Sequence, residues 1–202
     1  MSKLFSLIPR RRDITRAAFG THWREVHGPL ALRIEGLHRY VQHHGAGAVP
    51  GLPLPLYDGV SEAWFGSPWQ NGAPPHHSDS SYVDRTKADE RNFMDVDGRR
   101  YLEVEEHVLL DGRAADATVA IMIFLASVAH APRADTSAQH GVVRHVRNIA
   151  LTASGGGEHP PWAAIDQLWL NGAADASTVR AVLGPPAACA VPAFLVESVV
   201  FR

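Results

Sequence analysis

The chain is poor in the features that mark several large classes of protein. It has a single cysteine, Cys189, so an internal disulfide is impossible and a reducing cytoplasm is the expected compartment. Its 19 basic residues nearly balance its 21 acidic residues, which removes the electrostatic reason to expect nucleic acid or an anionic membrane as a partner. The longest apolar run, Val119 to Ala129, is too short to cross a bilayer and predicts a buried strand instead.

Motifs for metals, cofactors and covalent catalysis are also missing. No cysteine pair and no HExxH pattern accompanies His43-His44 or His76-His77, so we expect no metal site. The glycines from Gly155 to Gly157 are not followed by the Lys-Ser or Lys-Thr of a phosphate-binding loop, and we expect no cofactor. Cys189 has no candidate base near it in the sequence, so an inert apolar role is expected.

A faint internal repeat is present in the 202 residues. The segment from Tyr57 to Ser67 aligns without a gap with the segment from Trp162 to Gly172, and Trp64 then matches Trp169. Each half also begins with an apolar strand, at Lys3 to Ile8 and at Thr118 to Ala126. The pattern predicts two tandem βαββαβ units, residues 1–112 and 113–202, with a linker near residues 111–116.

Local signals place the elements of the first unit. Asp13 is the predicted N-cap of a helix whose apolar stripe contains Phe19, Trp23 and Val26, and Gly36 ends the segment. Further elements are predicted as strands at Leu37 to His44, Val60 to Phe65 and Leu102 to Leu110, with a second helix around Val83 to Phe93. In the second unit, a helix of about three turns is expected between Arg133 and Arg147.

Strand alternation predicts which side chains point into a barrel, because neighbouring residues point to opposite sides of a sheet. On the second strand, Leu37 and Val41 suit a helix-covered side, which leaves the other side for the interior. The same reasoning on the third and fourth strands gives six candidate functional residues: Tyr40, His44, Glu62, Trp64, Glu105 and His107. The alternative is that Glu62, Glu105 and His107 lie on an exposed edge or pair with arginines such as Arg39.

Two histidines on the first predicted helix are further candidates. His22 and His27 are five residues apart, which separates them by roughly 140° on an α-helix, so they are not expected to grip one metal together. A structural role has each of them bonding a carbonyl or carboxylate where the helix meets the sheet. The functional alternative has His27, just before Gly28-Pro29, reaching into the mouth of a cavity.

Four segments in the first half resemble one known family. They are FGTHWREVHGPLALRIEGLHRYVQHH at Phe19 to His44, YDGVSEAWF at Tyr57 to Phe65, ADERNFMDV at Ala88 to Val96 and LEVEEHVLL at Leu102 to Leu110. Together they resemble the EthD family, whose ferredoxin-like βαββαβ units pair into dimeric α+β barrels. The resemblance implies an α+β fold in which two tandem ferredoxin-like units form one barrel with antiparallel sheets, helices outside and a small-molecule cavity within.

What the resemblance implies about function is cofactor-independent chemistry, because related barrels include a lactone methylisomerase and polyketide decarboxylases and dehydratases. The expected activity is that of a lyase or isomerase acting on a small aromatic or polyketide-like compound. In this expectation His44 or His107 is the general base, Glu105 orients it and Tyr40 stabilises an oxyanion. Trp64 and Phe93 would form apolar walls, with Glu62 and His22 as further substrate contacts and His27 at the mouth.

Two other functions stay open at this point. Related barrels hold haem through a histidine, which would need one histidine deep in the interior with basic residues at the rim. A non-catalytic accessory or binding protein would need only the cavity. The tandem arrangement would act as an internal pseudo-dimer, and a homodimer is a further possibility because exposed sheet edges can pair.

Overall fold

Eight antiparallel strands and a few helices make up the computed structural model, which describes residues 2–66, 78–117, 119–132, 138–154, 162–172, 177, 181–182 and 192–201. The strands are β1 (Ser2–Ile8), β2 (Leu37–Ala48), β3 (Gly59–Phe65), β4 (Arg100–Asp111), β5 (Val119–Leu125), β6 (Val142–Ser154), β7 (Ala164–Leu170) and β8 (Ala193–Phe201). The helices are α1 (Arg16–His22), α2 (Gly28–Ala31) and α3 (Ser80–Phe93), and a π-helical turn, Trp23–His27, joins the first two.

The strands close into one barrel in the order β1-β3-β2-β8-β5-β7-β6-β4, and β4 pairs again with β1. Strands of the first half are contiguous in this circle, and so are those of the second half. The two halves meet where β2 pairs with β8 and where β4 pairs with β6. The fold is therefore mixed α+β with an eight-stranded antiparallel sheet, as the sequence predicted at this level.

Apolar side chains fill the barrel interior. One buried cluster draws members from six strands of both halves and includes Phe5, Leu102, Met122, Phe124 and Phe194. A buried polar group, in which Lys3, His43, Glu62, Asn148 and Gln167 are hydrogen-bonded to one another, completes the interior. These side chains pack against each other in the space between the two sheets where the sequence predicted a sheltered cavity.

The described helices cover the outer face of the first half. Trp23 is fully buried in a cluster with Phe19, Phe93 and Met94, and its ring lies over Gly59. A Cβ at Gly59 would come within 2.4 Å of the Trp23 ring. The small residues of β3 therefore allow a close approach of the helix. None of the helices in the described ranges has the length and apolar character needed to cross a membrane.

Two predicted details of the helices differ from the structure. The N-cap of α1 is Thr15, whose hydroxyl accepts the Ala18 N–H, whereas Asp13 pairs with Arg11 outside the helix. In the second half, β6 begins at Val142, so the predicted helix does not extend to Arg147. An apolar segment of this length can form either a strand or a short helix. The segment that begins at Val142 forms a strand because it pairs with β4 and β7. Cys189, His76-His77 and Gly155 to Gly157 lie outside the described residues.

Candidate functional site

A β-bulge sets the direction of every side chain in the middle of β2. Leu37 pairs with Phe65 and Arg39 with Trp64, so one extra residue, His38, is inserted between them. Leu37 does pack on the helix-covered side, but the bulge reverses the alternation beyond it, because one inserted residue exchanges the two faces. The predicted interior placement of Tyr40 and His44 was therefore wrong, and these residues lie beneath the helices together with Gln42.

Contacts with the helices confirm this orientation. Tyr40 packs with Ala31 of α2, and the His44 ring lies 4.5 Å from the Trp23 ring, centroid to centroid. Gln42 donates a 2.8 Å hydrogen bond from Nε2 to the Trp23 carbonyl. His43, on the opposite face, contacts Glu62 inside the barrel with 3.0 Å between Nε2 and Oε1. The two adjacent histidines therefore belong to different environments.

Gln42 also fixes the tautomer of His44. Because the Trp23 carbonyl can only accept a hydrogen bond, the Gln42 atom facing it must be Nε2, and Oε1 then faces His44. His44 Nε2 lies 3.0 Å from that oxygen and must donate to it. The proton of the neutral ring is therefore on Nε2, and the basic lone pair is on Nδ1.

A surface pocket of about 340 Å³ lies beside His44, between α1 and the strands β2 and β8. Its lining includes Arg16, Gly20, Arg24, His44, Asp58 and Glu197. Gly20 is important because a Cβ at this position would stand 3.5 Å from His44 Nδ1, in direct contact with the basic atom. The glycine therefore leaves the basic side of the imidazole facing open space.

Charged groups at the pocket shape its chemistry. Burial lowers the pKa of His44 to about 4, and the nearby Arg24 and His43 act in the same direction. The ring is thus neutral at physiological pH and its lone pair is free, and the same shift makes it a weaker base than an ordinary imidazole. Burial raises the pKa of Tyr40 to about 12, so its hydroxyl stays protonated; it receives a 3.3 Å hydrogen bond from Gln42 and lies behind the pocket.

His22 and His27 converge on one carboxylate. His22 Nε2 donates to Asp89 Oδ1 at 2.8 Å, and His27 Nδ1 donates to Asp89 Oδ2 at 2.9 Å. The predicted separation of 140° assumed an α-helix, but the π-helical turn bonds residue i to i+5, which brings positions five apart to the same side. The structural alternative for both histidines is therefore the one that the geometry supports, and burial lowers the pKa of His27.

Phe93 belongs to the same helix contact. Its ring stacks on His22 with 5.3 Å between centroids and lies 4.9 Å from the His27 ring. It is fully buried between α1 and α3. Phe93 therefore packs the helices together and does not line the described pocket.

Glu105 and His107 lie far from His44. Their side chains are 61% and 40% exposed on the outer face of β4, with 3.6 Å between His107 Nε2 and Glu105 Oε2. Two strands, β1 and β3, separate β4 from β2 in the barrel. The structure thus does not bring together the two histidines that the sequence offered as alternative bases.

Glu62 and Trp64 do face the interior of the barrel, as alternation on β3 predicted. Burial opposes ionisation of Glu62, but Lys3, together with His43 and Gln167, lowers its pKa to about 2. Lys3 Nζ lies 3.4 Å from Glu62 Oε2 and 4.7 Å from the Trp64 ring centroid. Sequence reasoning missed Lys3 and His43 in this group.

A second buried ionic group was also missed, on the other half of the barrel. Asp166 accepts hydrogen bonds from His145 Nε2 at 2.8 Å and from Arg147 Nε at 2.9 Å. His145 and Asp166 are both fully buried. The sequence feature that could have revealed this group is Asp166, which lies within the apolar segment AIDQLWL. A carboxylate buried in such a strand requires hydrogen-bond or ionic partners.

Comparisons with known proteins place this geometry in context. A solved structure from Lactobacillus acidophilus NCFM, described as a candidate monooxygenase, is 8% identical with a TM-score of 0.45, covering 100% of this chain and 99% of that one. A candidate chlorite dismutase is 9% identical with a TM-score of 0.48, covering 98% and 95%. Both scores are too low to support an argument about activity. No curated protein matches this sequence.

The family comparison is more informative. Residues 11–97 match the family model described as the EthD domain. This range contains α1, β2, β3 and α3, and therefore His44, most of the pocket lining and the His22–Asp89–His27 contact. It also contains three of the four segments on which the resemblance was based. Residues 11–97 of this chain are therefore similar to the EthD domain, and this similarity covers most of the candidate site.

Proposed function

We propose that the pocket beneath α1 binds a small molecule and that His44 acts there as the general base of a cofactor-independent lyase or isomerase. The observation that carries the proposal is the locked tautomer of His44, which presents the lone pair of Nδ1 beside a pocket of about 340 Å³. This volume is at the small end of ligand pockets in proteins. The substrate class, a small aromatic or polyketide-like compound, follows from the EthD resemblance.

Arg24 takes the role that Tyr40 had in the sequence-based hypothesis. Arg24 lines the pocket with His44, and its side chain is 41% exposed, so its guanidinium N–H groups can reach a bound molecule. A donor of this kind can bind the oxygen of an enolate that forms when His44 removes a proton from the neighbouring carbon. Tyr40 instead supports Gln42 from behind.

Proton exchange at a carbon acid tests the proposal without knowledge of the natural substrate. Phenylacetone in D₂O loses its benzylic protons to solvent at a rate that ¹H NMR measures. We expect the protein to accelerate this exchange and His44→Gln to reduce the acceleration by about 10²-fold or more, the range of general base catalysis. Gly20→Ala should reduce it too, because the new methyl group would cover Nδ1.

His107→Gln is the matched comparison, because His107 was the alternative base. Loss of exchange in His107→Gln with full activity in His44→Gln would reject the assignment of the base to His44. Saturable binding of phenylacetone at the pocket, with no acceleration of exchange in the wild type, would instead support a non-catalytic binding protein.

The haem alternative does not fit the barrel interior. Among the residues that the structure describes, His43 is the histidine in the interior, and both of its ring nitrogens are engaged, Nδ1 with Ser198 Oγ at 2.8 Å and Nε2 with Glu62 Oε1 at 3.0 Å. Apolar side chains fill the neighbouring space. Within the described ranges, no group of three or more His, Cys, Asp or Glu residues is arranged to hold a metal ion.

The proposal includes a tandem origin for the two halves. Gly36 and Gly141 have φ values of 75° and 77°, and each precedes a strand whose register shifts between its first and third residues. The arginine after each shift lies over the paired tryptophan, Arg39 on Trp64 and Arg144 on Trp169. These matched irregularities support two ferredoxin-like units, with boundaries near residues 1–112 and 113–202.

A further inference from the structure

A second chemically active arrangement lies at one end of the barrel, on the face of β2 opposite the His44 pocket. Ser198 of β8 is exposed, and its Oγ lies 2.8 Å from His43 Nδ1. His43 Nε2 lies 3.0 Å from Glu62 Oε1. A serine, a histidine and a carboxylate are thus connected in series across β8, β2 and β3.

The hydrogen-bond donors and acceptors in this series can be assigned. Lys3 Nζ lies 3.4 Å from Glu62 Oε2, and this ion pair keeps the glutamate ionised, so that its oxygens only accept hydrogen bonds. His43 Nε2 lies 3.0 Å from Glu62 Oε1 and 3.4 Å from Gln167 Nε2, and the shorter contact, to an oxygen that only accepts, assigns the proton to Nε2. In the neutral imidazole Nδ1 is then the acceptor, and the Ser198 hydroxyl donates to it. This is the polarity that a base needs in order to activate a nucleophile.

The carboxylate and the imidazole of this series are buried, whereas the serine is exposed, as the activation of a nucleophile by a base requires. Glu62 and His43 are 4% and 3% exposed, so the orienting carboxylate and the base are held by their surroundings. Ser198 is open to solvent at the end of the series. Val200, two residues along the same strand face, is 53% exposed and offers an apolar surface next to the hydroxyl.

We propose that Ser198, His43 and Glu62 form an acyl-transfer site that hydrolyses activated esters or thioesters of small acyl groups. Ser198 Oγ attacks the acyl carbon while His43 Nδ1 takes the hydroxyl proton. The bond to the leaving oxygen or sulfur breaks, and His43 returns the proton to that atom. Water, activated by the same imidazole, then attacks the acyl-serine, releases the carboxylic acid and restores the serine. Glu62 is a positioning residue.

The requirement for an activated acyl group follows from the strand geometry. Ser198 lies within the ladder between β8 and β2, where it is paired with His43, and backbone N–H groups in such a ladder are used for strand pairing. A missing oxyanion donor costs about 10²–10³ in rate, which a good leaving group offsets. This proposal is independent of the His44 pocket, which lies on the other face of the sheet.

Labelling with a fluorophosphonate probe tests the site directly, because an activated serine displaces fluoride from the phosphorus. Peptide mass spectrometry of the full chain should find the label on Ser198, and Ser198→Ala should remove it and abolish turnover of 4-nitrophenyl acetate. Ser80→Ala, at an exposed serine on α3, should leave labelling of Ser198 unchanged. A wild-type protein without label on Ser198 would overturn the proposal.

The role of Glu62 needs a readout that folding alone would not change. Glu62→Gln should slow labelling of Ser198 at least 10-fold and Glu62→Asp should restore part of the rate. Equal labelling rates in Glu62→Gln and wild type would overturn the assignment.

Discussion

The lowered pKa of His44 makes the free energy of unfolding depend on pH through this one residue. Its pKa is lowered to about 4 from an ordinary value of 6.5, so between these values the unfolded chain binds a proton that the folded chain does not. Its contribution to stability is therefore complete above pH 6.5 and is lost as the pH falls through 4. Urea denaturation at pH 7 and pH 4.5 should show a larger loss for wild type than for His44→Gln. Equal losses would contradict the buried, neutral ring.

The ion pair of Lys3 and Glu62 gives a second prediction at this scale. Both side chains are almost fully buried, so Lys3→Met leaves the Glu62 carboxylate without its cation and should cost about 3 kcal/mol in free energy of unfolding. Glu62→Gln should cost less, because Lys3 Nζ also pairs with Glu106 Oε2 at 2.5 Å. Lys3→Met combined with Glu62→Gln should cost less than the sum of the single changes. Lys87→Met, at an exposed lysine, should change stability by less than about 0.5 kcal/mol. Additive costs at positions 3 and 62 would mean that the two groups do not interact.

Sequence reasoning identified single residues better than it identified their surroundings. His44 and Glu62 were singled out because ionisable side chains in strands are uncommon and require partners. The face on which His44 lies was predicted wrongly, because the bulge at His38 exchanges the interior and helix-covered faces of β2. The sequence LHRYVQHH contains no residue that indicates a bulge. Lys3 was passed over at the start of a strand, a place where lysines are usually solvated.

The contact of α1 with α3 depends on Asp89, which receives hydrogen bonds from His22 and His27. Asp89→Asn keeps the shape but can satisfy only one imidazole N–H with its single carbonyl oxygen. It should lower the free energy of unfolding by about 1–3 kcal/mol, the range for a lost hydrogen bond to a charged group. Asp84→Asn, at an exposed position of the same helix, is the control and should have little effect. A similar small effect at both positions would mean that the helices are held by apolar contacts alone.

At the scale of elements, the strands were predictable and the helix geometry was not. Alternation and apolar runs located all four strands of the first half, because the two-residue period is strong when one face is buried. The π-helical turn Trp23–His27 was missed, since one extra residue within a helical turn leaves no sequence signature. This turn is what allows His22 and His27 to share Asp89.

Closure of the barrel gives a prediction for the whole molecule. Each of the eight strands has a neighbour on both sides, so the full chain needs no second copy to pair its edges. Residues 1–112 alone would expose the edges of β2 and β4 together with the apolar face around Phe5 and Leu102. We expect this fragment to self-associate and the full chain to sediment at its monomer mass of 21.9 kDa. A folded, monomeric fragment would contradict the dependence of each half on the other.

The ring of His44 offers the most direct test of the central claim, that a neutral imidazole with its lone pair on Nδ1 faces the pocket. Long-range ¹H–¹⁵N NMR of the imidazoles, followed from pH 7 to pH 3.5, reports both the tautomer and the pKa of each histidine. The account predicts that His44 carries its proton on Nε2 at pH 7 and titrates near pH 4. A proton on Nδ1, or titration near the ordinary value of 6.5, would contradict it.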